Sequence, residues 1–215
     1  SRGRLMFIAQ FPERFSDRIA AENPGLADDI GNCPFWDAVG RRFFDMDYPA
    51  AGELTSGRDK AYIAELMPQS PIYVPLLPEE AQWSLGQLHP VGELPFSILL
   101  DEGFDGDTYI NLFDGGPTAD GRVLMLKTVV RARDAVIACG APHTGGSLHL
   151  VANAEREQFR ATSLHLKTDA QTCTIDAPTA DALQCEAGTR VRVAPMDGEY
   201  GASPIVGATS EGDRA

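Results

Sequence analysis

The apolar positions of this 215-residue chain change their period partway along it. In the first half they recur at helical spacing. Leu5, Phe7, Ile8 and Phe11 form one apolar face at the start, as in the middle of an α-helix whose first turn is missing. Phe35, Trp36, Val39, Phe43 and Phe44 share a face over residues 34–44, with Pro34 suited to a first helical turn; the face is expected to pack in the core. Residues 18–22 are a short strand candidate, followed by a loop punctuated by Gly25 and Gly31. Residues 61–67 and 72–77 are strand-like apolar runs. Pro78 then opens a helix that carries Glu79 and Glu80 at its positive end and reaches about residue 88. Residues 94–102 form another helix, with Gly103 placed for a left-handed cap. A strand over 109–113 is broken sharply by Asp114-Gly115-Gly116-Pro117-Thr118.

Beyond Thr118 the texture becomes short strand-like runs between turn residues: 123–130, 134–139, 148–154, 159–166, 173–176 and 189–195. One helical insert, 178–183, interrupts them. The pattern predicts an α/β (α+β) chain, with helices and strands mingled in residues 1–118. A small, β-rich, barrel-like subdomain follows over 119–197, and a loose Gly-, Ser-, Ala- and Asp-rich tail over 198–215. No internal repeat is visible.

Composition narrows the class. No apolar run approaches the roughly 18 residues a membrane helix needs, and Glu13 and Asp17 interrupt any signal-peptide pattern at the start. A net charge of −13 repels nucleic acid and suits a cationic small substrate. Cys33, Cys139, Cys173 and Cys185 are scattered and form no C-x-x-C pair, so structural thiols in a reducing cytoplasm are expected rather than disulfides or a zinc site.

Among candidate chemical groups His89 leads. Pro90 biases it away from helical backbone, so it sits at a helix end or on the following loop, and an imidazole is the natural proton carrier near neutral pH. From spacing alone, a lone histidine more often caps a helix or fills a partly buried corner. His143, His149 and His165 are read as structural or surface groups, and no His/Cys cluster has metal-ligand spacing. No G-x-S-x-G motif or P-loop occurs. Asp114, Glu65, Asp45 and Asp47 could each hold a cationic group, although each alone reads more readily as a turn residue or a solvated charge.

The strings FIAQFPERF, PFWDAVGRRFF, AYIAELMP, PIYVPLLPEEAQ, GQLHP, LLDEGF and FDGGPT, in this order, resemble the arginine N-succinyltransferases from Ser1 to about Thr118. The likeness continues more weakly through LVANAEREQFRAT and ALQCEAGTRVRVAP. The departures are Gln69-Ser70 before Pro71 and the Gly-rich insert 140–146, both read as loop variation. The resemblance implies part of an acyl-CoA N-acyltransferase fold, with a mixed sheet and an added C-terminal β subdomain. It implies transfer of a succinyl group from the cosubstrate succinyl-CoA to the α-amine of L-arginine, with ornithine accepted by relatives and no bound cofactor or metal. The family's proton-donating histidine falls on His89 in Gly86-Gln87-Leu88-His89-Pro90. Direct attack in a ternary complex is implied, with His89 protonating the departing CoA sulfur and a backbone N–H meeting the oxyanion. Asp114 and Glu65 are the candidate acceptors for the guanidinium. The loop that holds CoA in the family is expected upstream of Ser1, so these residues by themselves are expected to be inactive and poorly soluble. A homo- or hetero-oligomer is expected; the alternative is a non-catalytic subunit or binding module that needs a partner chain.

Overall fold

The structure, a computed structural model, describes residues 1–55, 65, 67, 69–141, 145–166 and 171–196. Two sheets share a helix packed between them. Helix α1 (Arg2–Gln10) is apolar on more than one side. Leu5 and Ile8, one turn apart, pack with Leu99, Phe104, Ala119 and Leu126 of the first unit. Met6, rotated about 100° around the axis, packs instead with Leu150, Ala152 and Ala194 of the second sheet. The expected face of Leu5, Phe7, Ile8 and Phe11 is therefore corrected. Phe7 and Phe11 are only half-buried, and the Phe7 ring meets Phe159 edge-on with centroids 5.0 Å apart.

The first sheet holds β1 (Arg18–Glu22), β2 (Asp105–Ile110) and β3 (Pro117–Arg122) in the order β1-β3-β2, antiparallel throughout. Strand alternation turns Ile19, Ala21 and Ala119 inward and leaves Arg18, Ala20 and Glu22 on the outer face. Residues 119–122, read from sequence as the start of the β-rich unit, complete this sheet. The run 109–113 pairs only as far as Ile110; Asn111 then turns the chain by accepting the Phe113 N–H on its side chain at 2.8 Å.

Several sequence-predicted elements change in the fold. Residues 34–44 form two short helices, α2 (Pro34–Ala38) and α3 (Gly40–Phe44), broken at Val39. The Trp36 indole lies where a Cβ on residue 40 would stand, stacks on Phe44 and Phe113, and donates to the Met46 carbonyl at 3.0 Å. Phe35, Trp36 and Val39 are core, as expected, whereas Phe43 is exposed. Helix α4 spans Tyr48–Thr55. Pro71 and Pro75 prevent a strand over 72–77, which instead makes a 3-10 turn at Val74–Leu76 with Ile72, Tyr73, Val74 and Leu76 exposed. The run 61–67 lies outside the described residues apart from Glu65 and Met67. Helix α5 (Glu79–Ser84) ends well before residue 88. Helix α6 (Glu93–Glu102) ends at Gly103 with φ +102, the left-handed cap read from sequence.

The run 123–130 is not a strand. It forms a 3-10 turn and helix α7 (Lys127–Arg131), because the buried Glu102 carboxylate accepts the Thr128 N–H at 2.8 Å and caps the helix. The other Glu102 oxygen takes Arg2 Nε at 2.6 Å, and Arg2 also pairs with Asp101 at 2.5 Å, tying α1 to the end of α6. The second sheet holds β4 (Arg133–Cys139), β5 (Ser147–Asn153), β6 (Ala161–Leu166), β7 (Thr172–Ile175) and β8 (Arg190–Pro195). Their order is β6-β5-β8-β4-β7, with β4-β7 parallel and the other pairs antiparallel, so the mixed pairing lies here. Helix α8 (Ala177–Leu183) is capped by Asp176, which accepts the Thr179 N–H at 3.0 Å. Its Ala180 and Leu183 close the core made by Ile137, Val151, Ile175, Val191 and Val193. Residues 198–215 lie outside the described residues. Among the described residues, no helix is long and apolar enough to cross a membrane.

Met6 is fully buried at the seam between the two units. Met6→Ala is expected to lower unfolding free energy by about 2–5 kcal/mol, read from a denaturant titration of the protein.

Candidate active site

Three segments far apart in sequence meet at His89. After α5 the backbone turns at Gly86, whose φ of +72 suits glycine and ends the helix; its N–H donates to the Gly115 carbonyl at 2.8 Å. His89 follows, and its N–H donates to the Pro24 carbonyl at 2.9 Å. The Asn23 N–H and side-chain amide both donate to the Pro117 carbonyl at 3.2 Å, locking the end of β1 to the start of β3. Backbone approach is close enough that a Cβ at residue 25 would overlap the Asp114 carbonyl oxygen, and one at 116 would overlap Asn23 and Gly25. Glycines at 25 and 116 therefore set the seat on which the histidine rests.

His89 is half-buried and extended, the N-cap of a 3-10 turn over Pro90–Gly92. Its Nδ1 accepts the Val91 N–H at 3.3 Å. An accepting Nδ1 leaves the proton of the neutral ring on Nε2, so the ring presents Nε2–H as a donor. Capping and proton donation, alternatives from sequence, are thus compatible: one nitrogen caps and the other remains for chemistry.

Asp114 is placed in this seat but does not face solvent. It is buried; one oxygen accepts the Gly116 N–H at 2.9 Å and the other takes the Tyr48 hydroxyl at 3.5 Å. Its carboxylate is committed to the turn and to Tyr48. Burial, and then the Asp114 charge, push the Tyr48 phenol up to about 12. Glu65 is exposed. Asp45 is exposed and caps α3 in a left-handed conformation, and Asp47 accepts the Ala50 N–H at 2.9 Å, so both serve local turns.

Of the remaining histidines, His149 is buried with Nδ1 2.9 Å from the Ser147 carbonyl, His165 is exposed, and His143 lies outside the described residues. All four cysteines are free thiols; Cys33, Cys173 and Cys185 are buried, and burial pushes each thiol up, away from thiolate. Among the described residues no group of His, Cys, Asp and Glu is arranged to hold a metal.

Two predictions test this arrangement. Gly25→Ala is expected to cost about 1–3 kcal/mol through overlap with the 114–116 backbone, measured by denaturant unfolding. The Tyr48 phenol, raised in the folded protein, supports the fold fully below its ordinary value of 10.0 and loses that contribution as pH rises through about 12. Melting temperature is accordingly expected to fall more steeply across that window in the wild type than in Tyr48→Phe.

Comparison with known proteins places the chain. Residues 1–128 match the family model described as arginine N-succinyltransferase beta subunit, and residues 133–195 match that of its C-terminal domain. The chain is 42% identical over 194 residues to arginine N-succinyltransferase subunit alpha of Pseudomonas aeruginosa, covering 90% of this chain and 57% of the relative. It is 37% identical over 199 residues to subunit beta of the same organism, covering 93% and 58%. The solved structure of arginine/ornithine succinyltransferase subunit AI from Pseudomonas aeruginosa aligns with a TM-score of 0.78 at 38% identity, over 92% of this chain and 57% of that one. The chain thus spans a little over half the length of the relatives it matches. Matched through both of its sheets, the chain belongs to the arginine N-succinyltransferase family.

Proposed function

We propose that this chain carries the proton-handling histidine of an enzyme that moves the succinyl group of succinyl-CoA to the α-amine of L-arginine. The observation that carries the reading is the seating of His89: its backbone is fixed to Pro24, and its Nδ1 takes the Val91 N–H, which leaves Nε2–H to donate. The neutral amine attacks the thioester carbonyl, the tetrahedral adduct expels the CoA sulfur, and the C–S bond is exchanged for a C–N bond. His89 acts as a relay at Nε2, which passes its proton to the sulfur as it departs and takes the proton that the amine nitrogen loses, so the ring stays neutral and the products are the amide and the free thiol. Attack is direct, within a ternary complex. The three buried thiols, held in the protonated form, support that route over a covalent acyl-enzyme.

Asp114 acts in this reading as a positioning residue, because it holds the 114–116 turn that receives Gly86. Relatives named as alpha and beta subunits support an oligomeric enzyme, and free thiols support a reducing, cytoplasmic setting.

The test is CoA release from succinyl-CoA and L-arginine, in a protein extended to the length of its relatives, with acetyl-CoA and ornithine for comparison. His89→Gln and His89→Ala are expected to lower kcat about 10²-fold or more with the fold intact. Retained turnover would return His89 to a capping role. An inactive wild type would favour a non-catalytic subunit that needs a partner chain.

A further inference from the structure

Asn23, the residue after β1, is a buried amide with one open atom. It is 5% exposed. Its backbone N–H donates to the Pro117 carbonyl at 3.2 Å, and its Nδ2 donates to the Ala21 carbonyl at 3.0 Å and the Pro117 carbonyl at 3.2 Å. Every donor of the residue is therefore committed to a main-chain acceptor. The two carbonyls also fix which way the amide points, because its oxygen turned toward them would meet two further oxygens. Oδ1 is left on the opposite side, and no described residue donates to it. Among the described residues Arg192 Nε is the only buried side-chain nitrogen or oxygen without a partner, so Oδ1 touches solvent. An otherwise enclosed side chain thus presents one neutral acceptor at the surface.

The place of that acceptor is set by the seat of His89. Asn23 is followed by Pro24, whose carbonyl takes the His89 N–H at 2.9 Å. Adjacent Cα atoms are about 3.8 Å apart and those of residues joined by such a bond about 5.5 Å, so Asn23 and His89 have Cα atoms no more than about 9 Å apart. Bonding to Pro117 holds the amide beside the 115–117 turn that also receives Gly86. The amide oxygen and the imidazole belong to one junction. An amine nitrogen hydrogen-bonded to both, at about 3 Å from each, fits between them.

The chemistry of the acceptor matters as much as its place. The nucleophile of amide formation must meet the thioester as a neutral amine with its lone pair free. A carboxylate beside it would favour the ammonium form and raise its pKa. A neutral carbonyl takes one N–H, orients the nitrogen and lets the other proton leave. We propose that Asn23 Oδ1 binds the α-amino group of the acceptor amino acid and aims its nitrogen at the thioester, with His89 receiving the proton that the nitrogen releases. This deepens the proposed succinyl transfer and rests on it. Asn23 meets the end of the substrate that arginine and ornithine share, so it bears on transfer to both and not on the choice between them.

The experiment uses the protein extended to the length of its relatives, with CoA bound so that no transfer occurs. It is titrated calorimetrically with L-arginine and with guanidinovalerate, which is arginine without its α-amine. Wild type is expected to bind L-arginine about 3- to 30-fold more tightly than guanidinovalerate. Asn23→Ala is expected to abolish that preference by weakening L-arginine and leaving guanidinovalerate unchanged. Asn23→Ser, whose hydroxyl keeps one donor for the inner carbonyls but withdraws the outward oxygen, is expected to do the same and serves if Asn23→Ala does not fold. In steady state kcat/KM is expected to fall by a similar factor for L-arginine and L-ornithine, with the KM for succinyl-CoA unchanged. Equal weakening of both ligands would make Asn23 a lock between β1 and β3 alone and overturn the assignment. Equal affinity of wild type for the two ligands would overturn it whatever the variants do. Loss of the succinyl-transfer reading would look different: wild type prefers L-arginine through Asn23, yet releases no CoA from succinyl-CoA.

Discussion

Two-sided burial of α1 is the constraint on which the rest of the structure depends. Leu5 and Ile8 are core to the three-stranded sheet, and Met6 is core to the five-stranded one. A nine-residue helix is too short to be stable alone in water, so its form is set by packing on both sides. In turn, the helix supplies part of the cover of both sheets. The charged clamp from Arg2 to Asp101 and Glu102 fixes the helix lengthwise, and Glu102 passes the restraint on by capping α7.

The seat of His89 is built by a different kind of force. It is mostly backbone: three N–H to C=O bonds join residues 23–24, 86–89 and 115–117, made possible by glycines that let main chains approach within hydrogen-bonding distance. A seat of this kind tolerates little variation at Gly25 and Gly116. The buried Asp114 completes it from within by pinning the turn and Tyr48.

Acidity is distributed unevenly in its consequences. Much of the −13 charge is spent in caps and turns, as with Asp28, Asp105 and Asp176, whose carboxyls are held below the usual range by hydrogen bonds from neighbouring backbone and side chains.

The sequence by itself determined much of the local structure. Pro34, Pro178 and Gly103 mark helix ends that the fold keeps, the alternation beyond residue 133 became strands, and the motif strings were specific enough to name the family and to single out His89. These features depend on a residue's own backbone preferences or its near neighbours. Tertiary structure decided what depends on distant ones. The run 123–130 looked like a strand because its apolar residues are dense, and became a helix because Glu102 caps it. Residues 34–44 broke in two because the Trp36 ring needed the space over Gly40. Asp114 looked available because nothing local shows that Tyr48, 66 residues away, would take its free oxygen. The pairing of β1 with β3, which sets Glu22 opposite Thr118, exists only through strand register, a relation that no single stretch of sequence contains.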